Sequence, residues 1–270
     1  ACCDELNFVQ RGKNYEWGAD PESIPGALIG AAALDIGENL ELEGVWIEGT
    51  ANYGIVAANG GSITARGSHF GTPAIVAGLQ AQSVLAQNGG RVALERDEIA
   101  FAVFAAVSSE GPDSLATLDH VVIRDSLGAP GTGIGGRGVG AQDGGRVEIR
   151  ASVFERLSEV GALALYEGSS ILVEDTVIRE TRAQGDGIFG RALSTQGGAT
   201  GTVERVFIDG SVESGILSLS AGPLEVTDTV VRGVEAGSAW ASRSPIAASC
   251  SRASSSPARG PRGSARGGRA

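Results

Sequence analysis

Apolar residues return in one fixed phrase along this chain. Two of them, separated by one residue, are followed by two non-apolar positions, then a small or polar residue, then a further apolar residue two places on. The phrase opens at Leu40 and Leu42 and continues through Val45 and Ile47. It recurs from Ile63, Val92, Ala116, Val147, Ile171, Gly201 and Leu224. Alternation with period two predicts a short strand with one face inward. The two non-apolar residues, such as Glu95 with Arg96 or Asp119 with His120, predict a corner, and the residues after it predict a second strand. A third inward run is expected at Ile55, Ile75, Val103, Ile134, Leu163 with Leu165, Ile188, and Ile216 with Leu217. Pairs such as Gly60 with Gly61, Gly89 with Gly90, and Gly144 with Gly145 often close the turn. Three short strands per repeat predict an all-β, right-handed parallel β-helix of about eight coils. Stacked at about 4.8 Å, the coils make a rod roughly 35–40 Å long.

The gaps between repeat starts are 23, 29, 24, 31, 24, 30 and 23 residues, so short and long turns alternate. The extra residues of coils 2, 4 and 6 are expected just before the closing glycines, beside Gln87, Gln142 and Gln196, each five residues ahead of the next repeat. Three insertions then lie above one another, roughly 9–10 Å apart. Two roles suit these glutamines: internal amides satisfying turn backbone, or a row displayed toward a ligand. Asp35 stands at the matching place before coil 1, which marks residues 18–39 as a diverged long coil.

The phrases Gly136–Gly145 and Gly190–Gly198 resemble the right-handed parallel β-helix repeats of the pectate-lyase-like superfamily. They are similar in particular to the glycine-rich repeats of large envelope proteins from GC-rich Gram-negative bacteria. The resemblance spans roughly residues 26–236. It implies the fold, but that superfamily holds enzymes, adhesins and inert scaffolds.

Composition narrows the partners. The formal charge of −11 argues against nucleic acid, and no apolar run reaches the roughly 20 residues that span a membrane. Residues 1–25 read as an N-terminal segment or partial cap, and 26–237 as the repeats. Residues 238–270 read as a disordered low-complexity tail, with no acidic residue and six arginines among Ser, Ala, Gly and Pro. A last coil without a capping unit leaves strand edges open, which predicts self-association through the C-terminal coil. Cys2, Cys3 and Cys250 have no framework or zinc spacing. Ala1 with Cys2 is similar to the end of a lipoprotein cleavage motif. The expected location is therefore extracellular or outer-membrane-associated, with a lipid anchor as one option.

Candidate chemistry lies on outward or odd inward positions. The outward row at the second strand holds Trp46, His69, Glu98, Val122, Val153, Val177, Phe207 and Val230, six of them apolar. Trp46, Val122, Val153, Val177 and Phe207 are therefore candidates for a contact face toward a protein or polysaccharide, although valine and aromatic residues also simply suit strands. Asp97 points inward in a row of Val, Ser and Thr, where the Ser68 hydroxyl is expected to satisfy it. The candidate catalytic cluster is Glu95, Arg96, Asp119 and His120 at one corner of adjacent coils; ordinary solvated charge is the competing account. No cofactor motif, phosphate loop or metal-ligand spacing occurs. The function expected is a non-catalytic solenoid of an envelope or secreted protein, a spacer or adhesive surface. The alternative is a fragment of a polysaccharide lyase or glycosidase.

Overall fold

The computed structural model describes residues 32–33, 39–49, 53–71, 81–126, 128–129 and 131–235. Every strand among them pairs in parallel with the strand one coil away, giving three sheets of eight strands each. Sheet 1 runs from Asn39–Glu43 to Leu224–Thr227, sheet 2 from Trp46–Ile47 to Val230–Arg232, and sheet 3 from Ala32–Ala33 to Ser214–Leu219. The chain winds through sheets 1, 2 and 3 in turn as a right-handed parallel β-helix of about eight coils. The N-terminal segment at 1–25 and the tail at 238–270 lie outside the described residues, as do Ile75 and the three cysteines.

The core is a set of columns along the axis. In sheet 1, Leu94, Leu118, Ile149, Val173 and Val203 stack in register, all essentially inaccessible. In sheet 2, Phe70, Ile99, Ile123, Phe154, Ile178 and Ile208 do the same. Parallel in-register stacking keeps each apolar side chain against its counterpart one coil on. The 23-to-31-residue repeat of the sequence thereby becomes a continuous core.

Two kinds of corner turn the chain. Between sheets 1 and 2 a single residue takes a left-handed conformation in all eight coils: Gly44, Gly67, Arg96, His120, Ala151, Asp175, Arg205 and Asp228. Only two are glycine, so the remaining six accept a conformation that disfavours a Cβ. Compensation comes from an amide ladder, for example Arg96 N–H to Asp119 O at 3.0 Å and His120 N–H to Arg150 O at 3.1 Å. Between sheets 3 and 1 the turns Gln87 to Gly90 and Gln142 to Gly145 close with an amide-to-carbonyl bond of 2.9 and 3.0 Å. Both central residues, Asn88 with Gly89 and Asp143 with Gly144, have positive φ, the geometry that selects Asn-Gly and Asp-Gly.

Sheet 3 departs from expectation. Ile55 and Ile216 face inward, but Ile134 and Ile188 are exposed and precede their strands, which are Arg137–Gln142 and Arg191–Gln196. Val103 also lies ahead of its strand, Ala105–Glu110. In the strand Val160–Leu165 the core side chains are Ala162 and Ala164, so Leu163 and Leu165 take the outer side, as does Leu217 one residue past Ile216. Small residues line this wall, and apolar character alone misplaces its inward phase. Outside sheet 3, Val56, Ala58 and Leu85 form a second small cluster with Tyr53.

The insertions of the long coils fall between sheets 2 and 3, not beside the closing glycines. In coil 4 the segment between strands Val122–Arg124 and Arg137–Gln142 carries the extra length, and in coil 6 the segment between Val177–Thr181 and Arg191–Gln196. These two loops meet across the short corner of coil 5, where Gly185 N–H donates to Gly133 O at 2.9 Å. A Cβ at Gly133 would sit 2.5 Å from the Gly185 Cα, so this approach requires glycine on both loops. The coil 2 insertion, residues 72–80, lies outside the described residues.

Candidate functional site

The corner of coils 3 and 4 brings Glu95 and Asp119 together as register partners, with Arg96 and His120 as the left-handed residues that follow them. Their side chains pair elsewhere. Glu95 accepts from Arg66 Nε at 2.9 Å, on the preceding coil. His120 Nδ1 lies 2.9 Å from Asp119 Oδ1, with both side chains more than half exposed. Only Asp119 and His120 of the four pair with each other, on an open corner, and Glu95 is taken by Arg66.

Asp97 is 2% exposed and faces inward, as expected from its row. Its partners are backbone amides and not the Ser68 hydroxyl. Oδ1 accepts from Ser68 N–H at 2.6 Å and Oδ2 from Glu95 N–H at 2.9 Å. Ser68 Oγ instead accepts from Val45 N–H at 3.1 Å. Burial pushes the Asp97 carboxyl up to about 6, against the pull of the two amides. Ser152 and Thr176 repeat the theme in later coils, with Ser152 Oγ accepting from Val121 N–H at 3.1 Å.

The outward row of sheet 2 is continuous through Trp46, His69, Glu98, Val122, Val153, Val177, Phe207 and Val230. Its four central members are half-buried, each flanked by its neighbours in the row and by an adjacent charged column. That column stands two residues further along each strand: Arg124, Glu155, Arg179, Asp209 and Arg232, basic and acidic in strict alternation. Arg124 Nε donates to Glu98 Oε1 at 2.6 Å, and His69 Nδ1 lies 3.0 Å from Glu98 Oε2. Arg124 also reaches Asp125 at 3.0 Å, Arg156 reaches Asp125 at 2.6 Å and Glu155 at 2.7 Å, and Arg179 Nε reaches Glu155 at 2.8 Å. An unbroken chain of paired charges therefore runs from Glu98 to Arg179 across four coils, with His69 hydrogen-bonded at its start on a fifth. Arg232 bonds Asp209 at 2.8 Å and lies over the Phe207 ring at 4.7 Å, covering part of the apolar row.

The chain of pairs sets the carboxylates. Hydrogen bonding from Arg156 holds Asp125 below the usual carboxylate range. Burial pushes Glu98 and Glu155 up, but the bonds from Arg124 and His69 to the first, and from Arg179 and Arg156 to the second, outweigh it and leave both low. Apolar character singles out the valine row alone; the same register carried two residues on reveals the alternating column.

Gln87, Gln142 and Gln196 share one outer row at the end of sheet 3, with Glu110 and Leu165 between them. The backbone carbonyl of each accepts the closing bond of its turn. The side-chain amide of Gln196 donates to Ser194 Oγ at 2.9 Å, which keeps it on the outer face and not inside the turn. At the opposite end of this sheet, two strand-opening arginines are clamped in matching fashion. Arg137 bonds Glu159 at 2.7 Å and lies over Phe104 at 4.7 Å; Arg191 bonds Glu213 at 2.9 Å and lies over Phe189 at 4.6 Å.

A shallow cleft of about 270 Å³ opens on the outer side of sheet 1 toward the later coils, lined by Arg146, Ser170, Thr200, Thr202 and Glu225 among others. Arg146 spends its charge on Glu148 at 2.8 Å. Among the described residues no group of three or more His, Cys, Asp or Glu side chains converges as a metal site would require, and no helix is long and apolar enough to cross a membrane. No protein family matches the chain, and neither a curated protein nor a solved structure matches it.

Proposed function

We propose that the chain is a non-catalytic β-solenoid that acts as a spacer of set length or as an adhesive surface, in a bacterial envelope or secreted protein. The observation that carries this reading is the chain of charges from Glu98 to Arg179, in which outward ionic groups are paired with one another along the axis. Charges committed to rung-to-rung pairing stiffen a rod and leave few groups free to act on a substrate. The likeness of the glycine-rich phrases to pectate-lyase-like repeats of Gram-negative envelope proteins supports the cellular setting. The adhesive part of the reading rests on the Val122, Val153, Val177 and Phe207 row.

Two measurements test it. Incubation with acidic glycans, followed by ultraviolet detection of unsaturated products, is expected to show none; their appearance would establish the lyase alternative. Binding to bacterial surface polysaccharide is expected to fall in a Val153→Ser, Phe207→Ser double variant, and unchanged binding would confine the function to spacing.

A further inference from the structure

We propose that copies of this chain stack end to end, with coil 1 of one copy continuing coil 8 of the next. At both ends of the described rod, inward positions are more exposed than their counterparts in the middle coils. Val226, Val230 and Val231 of coil 8 are 43%, 53% and 40% exposed, whereas Val203 and Ile208, the inward counterparts of Val226 and Val231 one coil earlier, are wholly buried. At the opposite end Leu40, Leu42 and Ile47 are only half-buried, although their rows are core through coils 2 to 7. Trp46 is 63% exposed. Its indole stacks on the His69 ring at 3.9 Å with planes 18° apart, so the covered face looks toward coil 2 and the free face looks off the end of the rod.

The in-register rule that builds the interior identifies what fits there. Extending each row by one rung sets Leu42 on Val226 and Ile47 on Val231, both apolar and both inward. It lays the free face of Trp46 on Val230. One residue further on, Glu48 meets Arg232, the last member of the column in which acidic and basic residues alternate. Each earlier arginine in that column has an acid one coil further on, Glu155 after Arg124 and Asp209 after Arg179; Arg232 has none there within the described coils, and Glu48 of the next copy supplies it. Winding order also runs on: among the described strands coil 8 has members in sheets 1 and 2, while Ala32–Ala33 is a sheet 3 strand ahead of coil 1. The edges of Leu224–Thr227 and Val230–Arg232 carry no strand partner beyond coil 8 among the described residues, and such edges template a further strand. One row opposes the contact, since Glu41 would lie over Glu225, on the solvated outer face where like charges cost little. The contact joins two different surfaces of the chain, so it is heterologous and propagates into an open filament. It is independent of the spacer reading: monomers would refute the stacking and leave that proposal standing.

Sedimentation velocity across a wide concentration series tests it. The unaltered protein is expected to show species at whole multiples of the monomer, growing with concentration. Val230→Asp and Trp46→Asp each place a carboxylate in one end of the contact and are expected to weaken association roughly tenfold or more. Mixed together, they retain one good end each, so a one-to-one dimer should form and nothing larger. Should either variant lose its far-UV strand signal, Glu48→Arg and Arg232→Glu replace them; each alone weakens association and the double variant restores it. A monomer at every concentration, as when another part of the same chain covers the end, overturns the proposal. So do undiminished oligomers in either aspartate variant, or species larger than a dimer in the mixture.

Discussion

Replacing Asp97 by Asn isolates the energetics of one buried charge. The carboxyl takes two backbone amides in a site 2% exposed, and burial raises its pKa from 3.8 to about 6. A carboxyl raised on folding binds its proton more tightly in the native state. Its stabilising contribution is therefore greatest below the unfolded value near 3.8 and falls as pH rises through 6. At about 1.36 kcal/mol per pKa unit, the native state at pH 7 is about 3 kcal/mol less stable than with the same group neutral. At pH 4.5 the penalty is about 1 kcal/mol, since the unfolded carboxyl is then only partly ionised. Asparagine removes the charge but offers its oxygen to one amide only, and an unpaired buried N–H costs about 1–3 kcal/mol. The variant should accordingly lie between unchanged and about 2 kcal/mol more stable at pH 7. More decisively, the difference between variant and parent should move about 2 kcal/mol in favour of the variant from pH 4.5 to 7. Urea denaturation followed by far-UV circular dichroism at several pH values measures this. Glu98, Asp125 and Glu155 titrate in both proteins, and their contributions cancel in the difference. A difference constant to within about 0.5 kcal/mol over that range would refute the assignment of a raised, buried carboxyl.

Gly145→Ala puts a Cβ 2.1 Å from Ser109 O and should cost about 3 kcal/mol or more, whereas Gly140→Ala, in the same coil with nothing within 4 Å, should stabilise by about 0.5 kcal/mol; denaturant midpoints of the two variants should move in opposite directions. Arg191→Met leaves Glu213, a side chain 11% exposed, without its guanidinium and should cost about 2–3 kcal/mol in the same assay. Asp125, Glu98 and Glu155 have lowered pKa values, so their contribution is present above the ordinary carboxylate range and lost as pH falls below about 4. Arg156→Gln removes one partner of Asp125 and Glu155, and thermal melts should show a shallower acid-side loss than the parent.

Rung number, winding and the inward columns of sheets 1 and 2 are written in the amino-acid sequence, because the alternation that buries Val147 and Ile149 is local and needs only adjacent residues to read. The corners are legible for the same reason: Glu95 with Arg96 and Asp119 with His120 interrupt the alternation where the chain turns. Sheet 3 is not legible in this way. Its inner wall is largely alanine, valine and glycine, so Ile134 and Ile188, which belong to the loops ahead of their strands, outweigh it in any reading by hydrophobicity. Side-chain partners across coils were decided by the tertiary structure. The corner geometry aims the amides of Glu95 and Ser68 at Asp97 while Ser68 Oγ turns to Val45. The registers set Arg124, Glu155 and Arg179 side by side, and the loops of coils 4 and 6 meet at Gly133 and Gly185. Apart from the Glu95 amide, two positions from Asp97, each contact joins residues 23 to 52 positions apart in the chain. Periodic burial specifies what each residue faces, but which charge stands beside which depends on the register between rungs, and that is set only when the whole coil closes.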